Sequence, residues 1–202
     1  MGTPVEVLEF WLHEVGEKGW YQGGAALDAL CRDRWLDLWQ AARDGGLEHW
    51  VEGTVGTLAF LILTDQLPRN MHRGLAEAFA TDPLALNAAR RAVAAGWDLD
   101  APEPERQFFY LPFEHSEDAA DQALAIDLIG SRMPGNPGLV AHARAHAEII
   151  RRFGRFPARN AALGRATTPE EAAFLAGGGY GAVLRTFQAR PAPGVSLPAR
   201  GE

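Results

Sequence analysis

The feature that most constrains this chain is the spacing of its apolar residues, which is helical nearly throughout. Val7, Leu8, Trp11, Leu12 and Val15 form one stripe, and Leu27, Leu30, Arg34, Leu38 and Ala41 mark the next segment, with Trp35 and Trp39 beside them. Leu139, Ala143, His146, Ile150 and Phe153 keep the spacing of a coiled-coil seam. Intervals of three and four residues put side chains on one face of a helix. Residues 54–66 are apolar almost all round, the pattern of a helix buried on every side. No alternating run of β-branched residues interrupts the series, so the expected fold class is all-α.

Helix starts are written just as plainly. Thr3-Pro4-Val5-Glu6 and Thr168-Pro169-Glu170-Glu171 each combine a threonine cap, a proline in the first turn and a glutamate able to close a capping box. Asp82-Pro83 and Asn136-Pro137 read as cap-plus-proline pairs, and Ser116 before Glu117 and Asp118 reads as a hydroxyl cap. These signals predict helices near 4–15, 24–43, 47–66, 73–80, 83–95, 103–113, 117–132, 137–154 and 169–176. Gly177-Gly178-Gly179 reads as a helix stop and turn. A chain of 202 residues suits one domain, expected over 1–188, with a loose tail over 189–202 that carries Pro191, Pro193 and Pro198. Many helices with short connections suggest stacked antiparallel pairs, a tetratricopeptide-like bundle or solenoid. Leu67-Pro68-Arg69-Asn70 is echoed by Phe156-Pro157-Ala158-Arg159-Asn160, a faint sign of internal duplication.

Charge and cysteine content narrow the function. A net charge of −7 argues against nucleic acid, whose binders carry basic faces. Lys18 is the only lysine, in a polar stretch unsuited to Schiff-base chemistry. The lone Cys31, among Leu27, Leu30 and Trp35, is a packing residue rather than a nucleophile and leaves no intramolecular disulfide. The strongly apolar run Leu58–Leu63 is far short of the ~20 residues that span a bilayer. With no basic-then-apolar leader visible, a cytoplasmic protein without membrane contact is expected.

Three segments stand out for mixing aromatics, proline and charge at helix ends, where backbone groups are free to meet ligands. They are Asp65 to Gly74, with Asp65-Gln66-Leu67-Pro68-Arg69-Asn70 and Arg73; Phe108 to Asp118, with Leu111-Pro112 and His115-Ser116-Glu117; and Arg152 to Asn160, with Phe153-Gly154-Arg155, Pro157 and Arg159-Asn160, running on to Gly164-Arg165. In these residues and His146 the chain resembles the bacterial "domain of unknown function 924" family, over roughly residues 5–185. The resemblance implies an all-α, tetratricopeptide-like fold and no defined activity. The family usually has histidine where this chain has Ala158.

If the three segments converge, Arg69, Arg73, Arg152, Arg155, Arg159 and Arg165 outnumber Asp65, Glu114, Glu117 and Asp118. Arginine forks bind carboxylate and phosphate bidentately, so such a pocket favours a small anionic ligand. Arg69, Arg155 and Arg159 would clamp it and Asn70 and Asn160 orient it, with Arg73, Glu117, His146 and Arg165 completing the site. His115 would move a proton if chemistry occurs. The competing account is a structural ion network, with Arg69 on Asp65 and Arg159 on Glu117, and with His146 a core residue. A further alternative is a helical-repeat scaffold that binds a peptide or protein partner. His142 and His146 have the spacing of a metal chelate, but no third ligand is visible, so no metal or cofactor is expected. Trp20 and Tyr21 are candidates to line a groove.

Overall fold

The structure, a computed structural model, describes residues 2–189. Of the expected tail only Ala189 lies within them. Among the described residues every regular element is helical and no strand occurs, as the spacing predicts.

α1 (Pro4–Leu8) opens on the expected capping box: Thr3 Oγ1 accepts the Glu6 N–H at 3.3 Å, and Glu6 Oε2 accepts the Thr3 N–H at 2.7 Å. It continues as a π-helical stretch, Glu9–Val15, that turns Phe10 and Trp11 inward. Gly16 then stops it with φ of 65°, a conformation in which a Cβ would be strained. The short α2 (Gly16–Trp20) folds back, and Trp20 Nε1 donates to the Trp11 carbonyl at 2.8 Å. α3 (Ala25–Arg43) buries Cys31, Trp35, Leu38, Trp39 and Ala42. Its inward face is therefore rotated from the expected stripe, and Leu30 is exposed. Two tryptophans bury far more apolar area than Leu30 and Arg34 would, and they set the face.

The helix expected over 47–66 is divided. Glu48–Trp50 is a 3-10 turn, and α4 (Thr54–Leu61) runs into a π-helical stretch, Ile62–Gln66, and then α5 (Leu67–Met71). Pro68 has no N–H, so the Thr64 carbonyl lacks its helical partner. Thr81 Oγ1 donates to that carbonyl at 2.6 Å and itself accepts Trp39 Nε1–H at 3.0 Å. This relay lets the helix pass through a proline that would otherwise end it.

Other expectations are corrected in detail. The helix predicted over 73–80 contracts to a 3-10 turn, Ala76–Phe79. α6 (Asp82–Ala95) has Thr81 at its N-cap position without a side-chain cap, because that hydroxyl is committed to Thr64 and Asp82 serves arginines instead. Residues 103–113 form a 3-10 turn, Glu105–Phe109, and a short α7 (Leu111–Glu114), with Phe108, Phe109 and Tyr110 all buried. α8 (Ala119–Arg132) is capped by Asp118, whose carboxylate accepts the Ala120 and Asp121 N–H groups at 2.7 and 3.2 Å. Ser116, the expected cap, donates to Asp121 instead. A full charge at a helix N-terminus outcompetes a hydroxyl. Asn136 does not cap α9 (Gly138–Phe153) either, as its amide donates to Glu103. α10 (Pro169–Ala176) has its capping box as expected. The triple glycine is a turn that also starts a further helix, α11 (Gly179–Gln188), hidden from the sequence reading by that turn signal.

One large apolar cluster draws on α1 to α8 and reaches Ala143 of α9. A smaller one joins Ala145, Ile149 and Ile150 of α9 to Phe156 and Val183. α9 thus packs between α8 and α11. The face of α9 carrying His142 and His146 lies at the seam between the two clusters.

Candidate functional site

At this seam opens a cavity of about 500 Å³. Trp20 and Tyr21 close one side at the end of α2. Gln66, Arg69, Asn70 and Arg73 come from the π-helical stretch and α5. Leu111, Glu114 and His115 come from α7 and its end, Leu139, His142 and His146 from α9, and Tyr180 from α11. A second hollow of about 270 Å³ shares Arg69, His146 and Tyr180 with the first and is otherwise mostly apolar, with Phe79, Ile149, Phe156 and Phe174 in its wall. Ala158 lies there as well.

His115 Nδ1 stands 2.7 Å from Asp65 Oδ1. Asp65 is also held by Gln66 Nε2 at 2.5 Å and Arg69 at 3.2 Å. Burial pushes the Asp65 carboxyl upward, but the positive charge of His115 and Arg69 outweighs it, and Asp65 ends below the usual carboxylate range. Burial pushes His115 down to about 4 against the pull of Asp65. The imidazole is therefore neutral near pH 7. With Nδ1–H donated to Asp65, Nε2 carries the lone pair, and among the described residues nothing hydrogen-bonds to it.

Beside it lies Glu114, 2 % exposed. Its Oε2 stands 3.0 Å from His146 Nδ1, yet off the N–H direction, which is used on the His142 carbonyl at 3.0 Å. Oε2 is buried without a hydrogen bond, and no described residue donates to Oε1. His142 Nδ1 pairs with the Tyr180 hydroxyl at 2.7 Å. Burial first, and Glu114's charge second, raise the Tyr180 phenol above its ordinary range, so it stays protonated. The His146 ring packs at 4.7 Å from Tyr180 and 6.0 Å from His115.

The arginines converge less than the motifs suggest. Arg69 lines both hollows but is held by Asp65 and by Asp82 at 3.1 Å. Arg159, in the second hollow, meets the same Asp82 at 3.3 Å and donates to the His115 carbonyl at 2.9 Å. Burial and the like charge of Arg69 push Arg159 down to about 10. Arg73 forms a bidentate pair with Asp28, both contacts at 2.7 Å, and reaches Asn70 Oδ1 at 3.1 Å. Arg155, Glu117, Asn160 and Arg165 line neither hollow. Arg155 grips Glu171 at 2.7 and 2.9 Å, and Asn160 Nδ2 adds a 3.1 Å bond to that carboxylate. Arg165 pairs with Glu117 at 2.8 and 3.1 Å and with Asn160 Oδ1 at 3.1 Å. Glu117 also accepts the Phe156 N–H. These four residues clasp the segment after α9. The partner expected for Arg159 thus belongs to Arg165, and Arg152 stacks on Phe153 and Phe174.

Of the residues singled out from the sequence, His115, His146, Arg69, Asn70 and Arg73 line the cavity, as do Trp20 and Tyr21. Sequence reasoning passed over Glu114 as a site residue, and also His142 and Tyr180. His142 was signalled by its spacing to His146, whereas Tyr180 sat behind a glycine turn. Among the described residues no three His, Cys, Asp or Glu are grouped to hold a metal ion. Burial pushes the Cys31 thiol up to about 12, leaving it inert as a nucleophile.

No curated protein matches the chain. A solved structure of the protein of unknown function ATU0120 from Agrobacterium tumefaciens is similar, at 43 % identity and a TM-score of 0.80, covering 85 % of this chain and 96 % of that one. Residues 7–179 match the family described as "Bacterial protein of unknown function (DUF924)". With that match over most of its length, the chain belongs to the DUF924 family.

Proposed function

We propose that this protein binds a small organic molecule in the cavity at the seam and that His115 accepts a proton from it. The observation that carries this reading is the Asp65–His115 pair, whose unengaged nitrogen belongs to a residue of the cavity wall. A carboxylate fixes the imidazole's tautomer and orientation, and burial keeps it unprotonated near pH 7 with its Nε2 lone pair free to accept a proton. A cavity of this volume suits a metabolite-sized ligand.

An anionic ligand, the expectation from the arginine-rich segments, would have to draw Arg69 or Arg73 from carboxylates they already hold. Drawing one away leaves an uncompensated acid behind. The peptide-scaffold reading rests on a tetratricopeptide-like stack, for which the packing of α8 on α9 and α9 on α11 is the local support.

The test is a thermal-shift screen of small metabolites on the wild type and on His115→Asn. Asparagine keeps a donor toward Asp65 and removes the Nε2 acceptor. Ligands should raise Tm by several degrees in the wild type and less in the variant. A panel that leaves Tm unmoved, or that binds both proteins alike, overturns the reading.

A further inference from the structure

Glu114 is the one cavity-wall carboxyl without a hydrogen bond among the described residues. A carboxylate so deeply buried is costly unless a cation or donor meets it. Each cation nearby is engaged: Arg69 between Asp65 and Asp82, and Arg73 on Asp28. The neighbouring His146 N–H is turned to a carbonyl. No metal-binding group of three ligands is present among the described residues. The His146 imidazole, 3.0 Å from Oε2, makes no hydrogen bond to it, so a ligand's ammonium would supply a donor that the carboxylate lacks. The rings of Trp20, Tyr21 and Tyr180 line the same cavity as Glu114, and aromatic faces attract organic cations. The adjoining hollow, with its phenylalanines, offers an apolar continuation.

We propose that the cavity recognises a primary amine carrying an apolar arm, its ammonium on Glu114 and its arm directed into the second hollow. The proposal rests on the small-molecule reading above and specifies the ligand's charge. A charge-assisted hydrogen bond at a desolvated carboxylate is worth about tenfold or more in affinity.

The test uses hexylamine, hexanol and hexanoate, which share a chain and differ in charge, with ethylamine as the armless control. Binding to the wild type and to Glu114→Gln is measured by calorimetry at pH 7. Hexylamine should bind best, lose about tenfold or more in affinity in Glu114→Gln, and exceed ethylamine by a similar factor. Equal or tighter binding of hexanol or hexanoate, hexylamine binding untouched by the substitution, or ethylamine binding as well as hexylamine overturns the amine assignment and leaves the small-molecule reading standing. Binding by none of the four overturns the amine assignment, while the metabolite screen decides the broader reading. Melting of the ligand-free variant gives a separate measure. Glu114→Gln should melt at or above the wild-type temperature, because it removes an uncompensated charge. A drop of several degrees would mean that the carboxylate already has a partner in the protein.

Discussion

Asp65 and His115 lie 50 residues apart in the chain and are joined at 2.7 Å, with His115 in the cavity wall and Asp65 behind it. The pair makes stability pH-dependent. In the unfolded chain His115 takes up a proton near its ordinary value of about 6.5, but in the folded protein only near 4. The neutral imidazole's contribution is thus complete above about pH 6.5 and is lost as pH falls toward 4. Asp65 has a depressed folded value, so its contribution is present above its unfolded value and disappears only at lower pH. Urea denaturation from pH 7.5 to 4.5 should show falling stability in the wild type and a flatter profile in His115→Asn.

Asp82 serves two guanidinium groups, Arg69 at 3.1 Å and Arg159 at 3.3 Å, and both also cover the Phe79 ring. Asp82→Asn leaves two like charges facing each other with one acid fewer. Breaking a buried pair costs about 3–5 kcal/mol, and the partial exposure of all three side chains places the expected loss near the lower bound. Adding Arg159→Met should recover part of it in equilibrium unfolding.

Thr81 is fully buried and links Trp39 Nε1 to the carbonyl that Pro68 leaves open. Thr81→Val preserves shape and strands a donor and an acceptor. Each stranded group costs about 1–3 kcal/mol. The loss should exceed about 2 kcal/mol by urea denaturation, and Trp39 fluorescence should shift.

Gly56 lies inside α4, where alanine would ordinarily favour the helix by roughly 1 kcal/mol. A Cβ there would meet the Trp50 carbonyl oxygen at 2.2 Å, a backbone atom that cannot swing aside. Overpacking of this kind costs about 1–3 kcal/mol or more, so Gly56→Ala should lower Tm despite its better propensity.

What the sequence made legible was local. The capping boxes at Thr3 and Thr168 depend on four adjacent residues and appear as written. The cap at Ser116 did not, because Asp118 offered the stronger charge to the same helix end. The motif arginines were recognised as a class, but the acids that claim them are distant in the chain: Asp28 for Arg73, Asp82 for Arg69 and Arg159. Glu114 illustrates the same limit. Its importance lies in lacking a partner, and a missing partner leaves no mark on the residues beside it. Arg69 and Arg159, one from each proline echo, meet at Asp82.

The π-helical stretch over Ile62–Gln66 carries one surplus residue relative to a regular α-helix. Deleting that residue would let the coil tighten to a regular α-helix, leaving its flanks nearly in phase and re-aiming the side chains within the stretch, Asp65 among them. The length of this short stretch, as much as the identity of its side chains, holds the acid and the imidazole in register, so a frame-preserving deletion should disable the site more thoroughly than many substitutions within it.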